Sequence, residues 1–343
     1  MAASGTVVQK RGGAGAAWTL VFLAPFIAEV LSGATKLSVI FAIVPEMMCW
    51  GCGALLIREL VRRWRGGWLS LLLMGLGLSI AEEFIIQQTS VAPLPFAGTL
   101  TAYGRAWGVN WIYFLFMLGF ESVFVVLVPV AVTELIFPER GEQPWLRTRG
   151  MAIAGIVFLL GSWMAWYAWI KRARLIVFHL PAYYVPWPTI LAGFAAIAAL
   201  VLFAYLLRGA GTGVAPSRYA PPAWAVALVV LALGFPWYGL MAFVFISREP
   251  RVSFELVLAA GVAWGILAAL LLGWWAQSPQ WDNLHRWTAS FAATLVCMAA
   301  GFLGSSTWLK IDLIGKAMLN VIAVVGFLML LRRGLERGHG SAG

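Results

Sequence analysis

The run WLSLLLMGLGLSIAEEFII, residues 68–86, decides what kind of protein this is. At about 1.5 Å of rise per residue such a stretch crosses the hydrocarbon of a bilayer as one helix, which satisfies its own backbone polar groups. Near its end it carries Glu82 and Glu83 side by side. A carboxylate at membrane depth is costly unless it is protonated, paired, metal-bound or wetted, so this pair is the first candidate for a functional site.

The rest of the chain reads the same way. Hydrophobic residues make up 62% of the 343 and charged residues 11%, with a mean hydropathy of +0.87. Ten apolar runs are long enough to span, near 17–33, 38–60, 67–89, 110–137, 150–170, 187–207, 222–246, 253–275, 287–305 and 314–332. Their uniform apolarity excludes the alternating pattern of a membrane β-barrel. The expected fold is therefore an all-α, polytopic transmembrane helix bundle of about ten helices. Threaded alternately, Lys10, Arg11, Arg62 to Arg65, Arg140 to Arg149, Arg208, Arg218 and Arg332 to Arg337 fall on one side, which makes both termini cytoplasmic. Lys171-Arg172-Ala-Arg174 is the exception and falls outside. The formal charge of +10 is accounted for by this bias and by anionic lipid, so membrane lipids are the expected partners and nucleic acid is not.

In this reading residues 1–16 are a cytoplasmic tail without a cleavable signal. Residues 17–149 hold helices 1–4 with the intramembrane carboxylates, 150–332 hold helices 5–10 as scaffold, and 333–343 are a disordered tail. The division follows the acids: Glu29, Glu46, Glu59, Glu82, Glu83, Glu121 and Glu134 all lie in the first part. Helical rise places Glu29, Glu46, Glu82, Glu83 and Glu121 in the outer half of the membrane, where adjacent helices would gather them into one chamber. Helical spacing puts Ser79, Glu83 and Gln87 on one face. Glu59 and Glu134 lie near the cytoplasmic ends and read as surface charge pairs, and Arg58, Arg105 and Lys36 are the cations available to the others. Arg105, in the outer loop 90–109, and His179, in the outer loop 171–186, can reach the chamber from outside.

Around Ala81-Glu82-Glu83 the sequence resembles the CPBP intramembrane proteases, which include the CAAX prenyl endopeptidases. Their first motif is Glu-Glu-x-x-x-Arg; here Gln87 stands where Arg belongs, and the likeness is confined to this motif. The resemblance implies an all-helical membrane-embedded hydrolase in which Glu82 or Glu83 activates water, with a lipid or membrane peptide as substrate. In that family a His and an Asn from later helices complete the site. The motifs that carry them, Phe-x-x-x-His and His-x-x-x-Asn, are absent around His179, His285 and His339, and His285 falls in an expected cytoplasmic loop.

The residues themselves leave other chemistries open. Several carboxylates suit a hard cation or a proton, so Glu29, Glu46, Glu83 and Glu121 equally fit a proton- or cation-coupled transporter. Glu83, Glu121 and Glu46 are the ligands expected if a divalent metal is bound; zinc is disfavoured because it takes His or Cys. Cys49-Trp-Gly-Cys52 has the spacing of a redox pair but also of small residues that pack helices closely. A subunit that binds lipid or a protein partner without chemistry of its own is the remaining reading. The setting expected throughout is a bacterial cytoplasmic membrane.

Overall fold

The computed structural model describes residues 13–93, 95, 96, 99, 100, 103–210, 212–246, 252–303, 305 and 308–340. Ten long helices follow one another: α1 Gly13–Val30, α2 Leu37–Arg63, α3 Trp68–Ile86, α4 Trp111–Ile136, α5 Thr148–Val177, α6 Trp187–Leu206, α7 Ala223–Val244, α8 Phe254–Trp275, α9 Asn283–Ala300 and α10 Lys310–Gly340. Among the described residues, nine of them, all but α9, are long and apolar enough to cross a membrane. The chain is a multi-pass membrane protein with an all-α fold. Two-residue ribbons, Pro95–Phe96 with Thr99–Leu100 and Arg105–Ala106 with Val109–Asn110, decorate the connection between α3 and α4.

The helices divide by what surrounds them. In α1 to α4 half to two thirds of the most apolar window is buried, against 11–22% in α5 to α8 and α10. The first four helices are thus interior, and α5 to α8 and α10 turn apolar residues such as Ile156, Leu191 and Leu270 outward, as contact with lipid requires. Helix α9 lies inside, along α7 and the end of α4, and buries Thr288, Ser290 and Thr294. A helix whose neighbours are protein needs less apolar surface than one facing lipid.

Helix α9 begins at Asn283, ahead of the expected 287, and His285 lies in its first turn rather than in a loop. Asp282 is its cap: its carboxylate accepts from the His285 backbone N–H at 3.0 Å and lies 2.6 Å from His285 Nδ1. Burial raises the Asp282 carboxyl, but the His285 hydrogen bonds outweigh that and hold it below the usual carboxylate range. A depressed value means that the cap stabilises above the unfolded carboxylate range and loses this contribution as pH falls through the folded value. Asp282→Ala is expected to cost about 1 kcal/mol at neutral pH, with the difference from wild type closing below about pH 4. Unfolding measured at both pH values checks this; a cost that does not change with pH would refute it.

Other boundaries differ from expectation for local reasons. Helix α5 continues to Val177, so Lys171 to Arg174 are helical and the outer connection is shorter than 171–186. Arg174 secures the extension by donating to the carbonyls of Pro181 at 2.7 Å and Pro93 at 2.6 Å. Helix α10 continues through Gly340, into the segment expected to be disordered.

Close approach between α1, α2 and α5 depends on two glycines. A Cβ on Gly51 would run into the Val21 carbonyl of α1, and one on Gly161 would lie 2.6 Å from the Cys49 nitrogen of α2. Both obstacles are backbone and cannot swing away. Gly51→Ala and Gly161→Ala are each expected to cost about 1–3 kcal/mol by overpacking, read as a fall in thermal stability. Full stability in either variant would contradict the packing.

Candidate functional site

The carboxylates lie where their helices are wound unusually. Glu29 lies in a π-helical turn, Phe26–Val30, and Glu82 and Glu83 lie in another, Glu82–Ile86. Glu46 directly precedes the π turn Met47–Gly51, and Glu121 directly precedes the π turn Ser122–Leu127. Such turns add a residue without breaking the helix and recur at functional sites.

The five glutamates are within electrostatic range of one another as a chain: Glu46 with Glu29, Glu29 with Glu82 and Glu121, and Glu121 with Glu82 and Glu83. Glu46, Glu82, Glu83 and Glu121 are buried, while Glu29 is half-buried. Their support is sparse. Thr89 and Ser90 each donate a hydroxyl to Glu83 Oε2 at 2.6 Å. They return to it because Gln88, in the left-handed region at φ 60°, reverses the chain after α3 while its N–H bonds the Glu82 carbonyl at 3.1 Å. Thr35 donates to Glu46 Oε1. The Cys49 thiol stands 4.0 Å from Glu82 Oε2 and 3.6 Å from the Ser162 hydroxyl. Ser79 lies beside Glu121 without hydrogen-bond alignment. Among the described residues, Glu46 Oε2, Glu82 Oε1, Glu83 Oε1 and both Glu121 oxygens are buried with no hydrogen-bond partner.

Among the described residues no cation is ion-paired with these five glutamates; the buried Lys316 of α10 instead bonds the carbonyl of Leu31, two residues beyond Glu29, at 2.5 Å. Lys36 lies over the Trp308 ring at 4.8 Å. Arg105 donates to the carbonyls of Val91 at 2.5 Å and Gly108 at 3.0 Å, which ties down the α3–α4 connection. Gln87 is half-buried, and its backbone N–H bonds the Glu82 carbonyl at 2.9 Å. His179 is exposed at the end of α5, His285 caps α9, and His339 falls in the last turn of α10. Among the described residues no three His, Cys, Asp or Glu side chains, the set Glu83, Glu121 and Glu46 included, converge as a metal shell. Cys49, Cys52 and Cys297 are buried free thiols.

Arg58, Glu59 and Glu134 form a different structure at the opposite end of the bundle. They are not surface charge pairs: Arg58 and Glu59 are fully buried and Glu134 nearly so. Arg58 bonds Glu59 at 3.0 Å and the carbonyls of Gly141 at 2.6 Å and Gln143 at 2.7 Å, with its guanidinium 3.6 Å over the Trp145 ring. Glu134 receives Arg62 at 2.7 Å and Arg286 of α9 at 2.9 Å. Spacing could not reveal this burial, because the segment 137–147 is distant in sequence from the Arg58 and Glu59 it covers, and α9 is distant from Glu134. The signal available was the density of Arg and Glu at the ends of α2 and α4. Gly13 lies against Trp145, and the Trp287 indole bonds the Phe327 carbonyl at 2.9 Å, so α1 begins and α10 ends toward this same end.

No protein-family model, no curated protein and no solved structure matches this chain.

Proposed function

We propose that the protein is a proton-linked transporter of a bacterial cytoplasmic membrane, with Glu29, Glu46, Glu82, Glu83 and Glu121 as the groups that hold protons. The observation that carries this reading is a chain of five carboxyl groups with no cation ion-paired to any of them among the described residues. Such a cluster is stable only if neutralised, by protons on the carboxyls or by a bound cation. Among the described residues no three of these carboxyls converge as a divalent-metal shell, which favours the proton, or a weakly held monovalent cation, as the species exchanged. The half-buried Glu29 is the member with an approach from outside the cluster, and Glu121 is the one least held by its surroundings. The arginines at the opposite end support an orientation with that end in the cytoplasm.

The test is flux. Protein reconstituted into liposomes with an internal pH-sensitive dye is expected to dissipate an imposed pH gradient, and Glu121→Gln to stop it. Wild-type vesicles as tight as protein-free ones, or a Glu121→Gln variant as fast as wild type, would overturn the proposal.

A membrane-embedded hydrolase of the CPBP type is a second reading, supported by one observation: two hydroxyls fix the orientation of Glu83, as a general base on water requires. No imidazole accompanies it among the described residues. Cleavage of a membrane peptide by the wild type, lost in Glu83→Gln, would favour this reading over transport.

A further inference from the structure

Where α5 and α6 meet the turn after α3, the bundle holds a cavity of about 240 Å³. Its wall includes Gln88, Trp166, Lys171, Tyr183, Tyr184 and Trp187. It lies at the same end as the carboxylate chamber but faces outward. A water occupies about 30 Å³, so the space admits a phosphate group with some of its hydration.

Lys171 gives the cavity its character. Its ammonium lies 5.5 Å from the centre of the Trp166 ring and 5.3 Å from that of Tyr184. Both rings steady the charge through their faces but accept no conventional hydrogen bond from it. An ammonium has three N–H donors. Among the described residues no carboxylate lies within ion-pair distance of Lys171 and no acceptor takes its hydrogens, although it is half-buried. By contrast, Arg174, one turn further on, is consumed by the carbonyls of Pro181 and Pro93. The surroundings are those of a membrane boundary: Tyr184 is 77% and Trp187 75% exposed, and Leu175, Ile176 and Val177 turn apolar surface outward beside them. Aromatic rings at this level sit among lipid headgroups.

We propose that Lys171 and its aromatic walls bind the phosphate of an anionic lipid headgroup, with the acyl chains along the exposed apolar face of α5. The recognising chemistry is a phosphate anion meeting a caged ammonium, which free phosphate shares. The cage favours the lipid, because only an amphiphile also covers the apolar surface below it. This inference does not depend on the carboxylate chamber.

The experiment is native mass spectrometry of the full chain in detergent, titrated separately with phosphatidylglycerol, phosphatidylcholine and inorganic phosphate. One phosphatidylglycerol is expected to bind ahead of phosphatidylcholine, with affinity falling about tenfold in Lys171→Gln and returning in Lys171→Arg. Arg172→Gln, which removes an exposed neighbouring charge, is expected to leave that first lipid in place. Binding of inorganic phosphate with the same dependence on Lys171 would support the anion site and assign it to a free anion. Equal losses in Lys171→Gln and Arg172→Gln, or no preference for phosphatidylglycerol, would overturn the proposal.

Discussion

Arg58→Ala is expected to destabilise the protein by about 3–5 kcal/mol, the cost of removing one partner from a buried ion network. The side chain is fully enclosed, and its loss leaves Glu59 without its buried cation, held by the Trp145 and Leu146 N–H groups alone apart from Arg63 at 3.7 Å, and strands the carbonyls of Gly141 and Gln143. Glu134 suffers less, because Arg62 and Arg286 remain on it. Lysine is not expected to rescue the site: a single ammonium cannot replace a planar fork that reaches Glu59, three carbonyls and the face of Trp145 at once. Arg63→Ala is the control, since Arg63 is 35% exposed and 3.7 Å from Glu59, an arrangement worth less than about 1 kcal/mol. Unfolding of the three variants in one detergent checks the ordering, and an Arg58→Ala protein as stable as Arg63→Ala would refute it.

Glu121→Gln is expected to abolish proton flux while leaving the fold intact. Glutamine keeps the volume of glutamate, so the packing of α4 against α3 is preserved. It cannot gain or lose a proton at neutral pH, so the cluster loses the one exchangeable carboxyl that faces Glu29, Glu82 and Glu83 at once. No aligned donor holds Glu121, so the substitution breaks no hydrogen bond among the described residues. Equal unfolding temperatures with unequal flux would separate a role in exchange from a role in folding. Unequal unfolding temperatures with equal flux would mark Glu121 as structural.

The architecture was legible because lipid imposes one rule on every spanning segment. The runs near 187–207 and 253–275 match α6 and α8 to within a residue, since each is bounded by Pro, Ser or Gly and faces hydrocarbon. Helix α9 was placed several residues late because its interior position permits His285, Arg286 and Thr288 in the first turns, which lower its apolarity. Gathering of the glutamates followed from helical rise and antiparallel neighbours. Their facing did not, because spacing rules assume a uniform helix: the π turn Glu82–Ile86 changes the register that would set Glu83 above Gln87. For Glu59 and Glu134, nearness to a helix end reads as exposure in the sequence, whereas the covering segments bury both.

The π turns also bear on how such a site can be altered by insertion and deletion. Each holds one residue more than a regular turn, and a residue advances a helix by about 100°. Deleting one residue within 82–86 would restore a regular helix and swing the turn that presents Thr89 and Ser90 around the axis, away from Glu83. The length and order of the spans would stay as they are. The topology is therefore protected by the bilayer, whereas the chamber is set by single-residue frame choices in four helices, and the two can diverge independently.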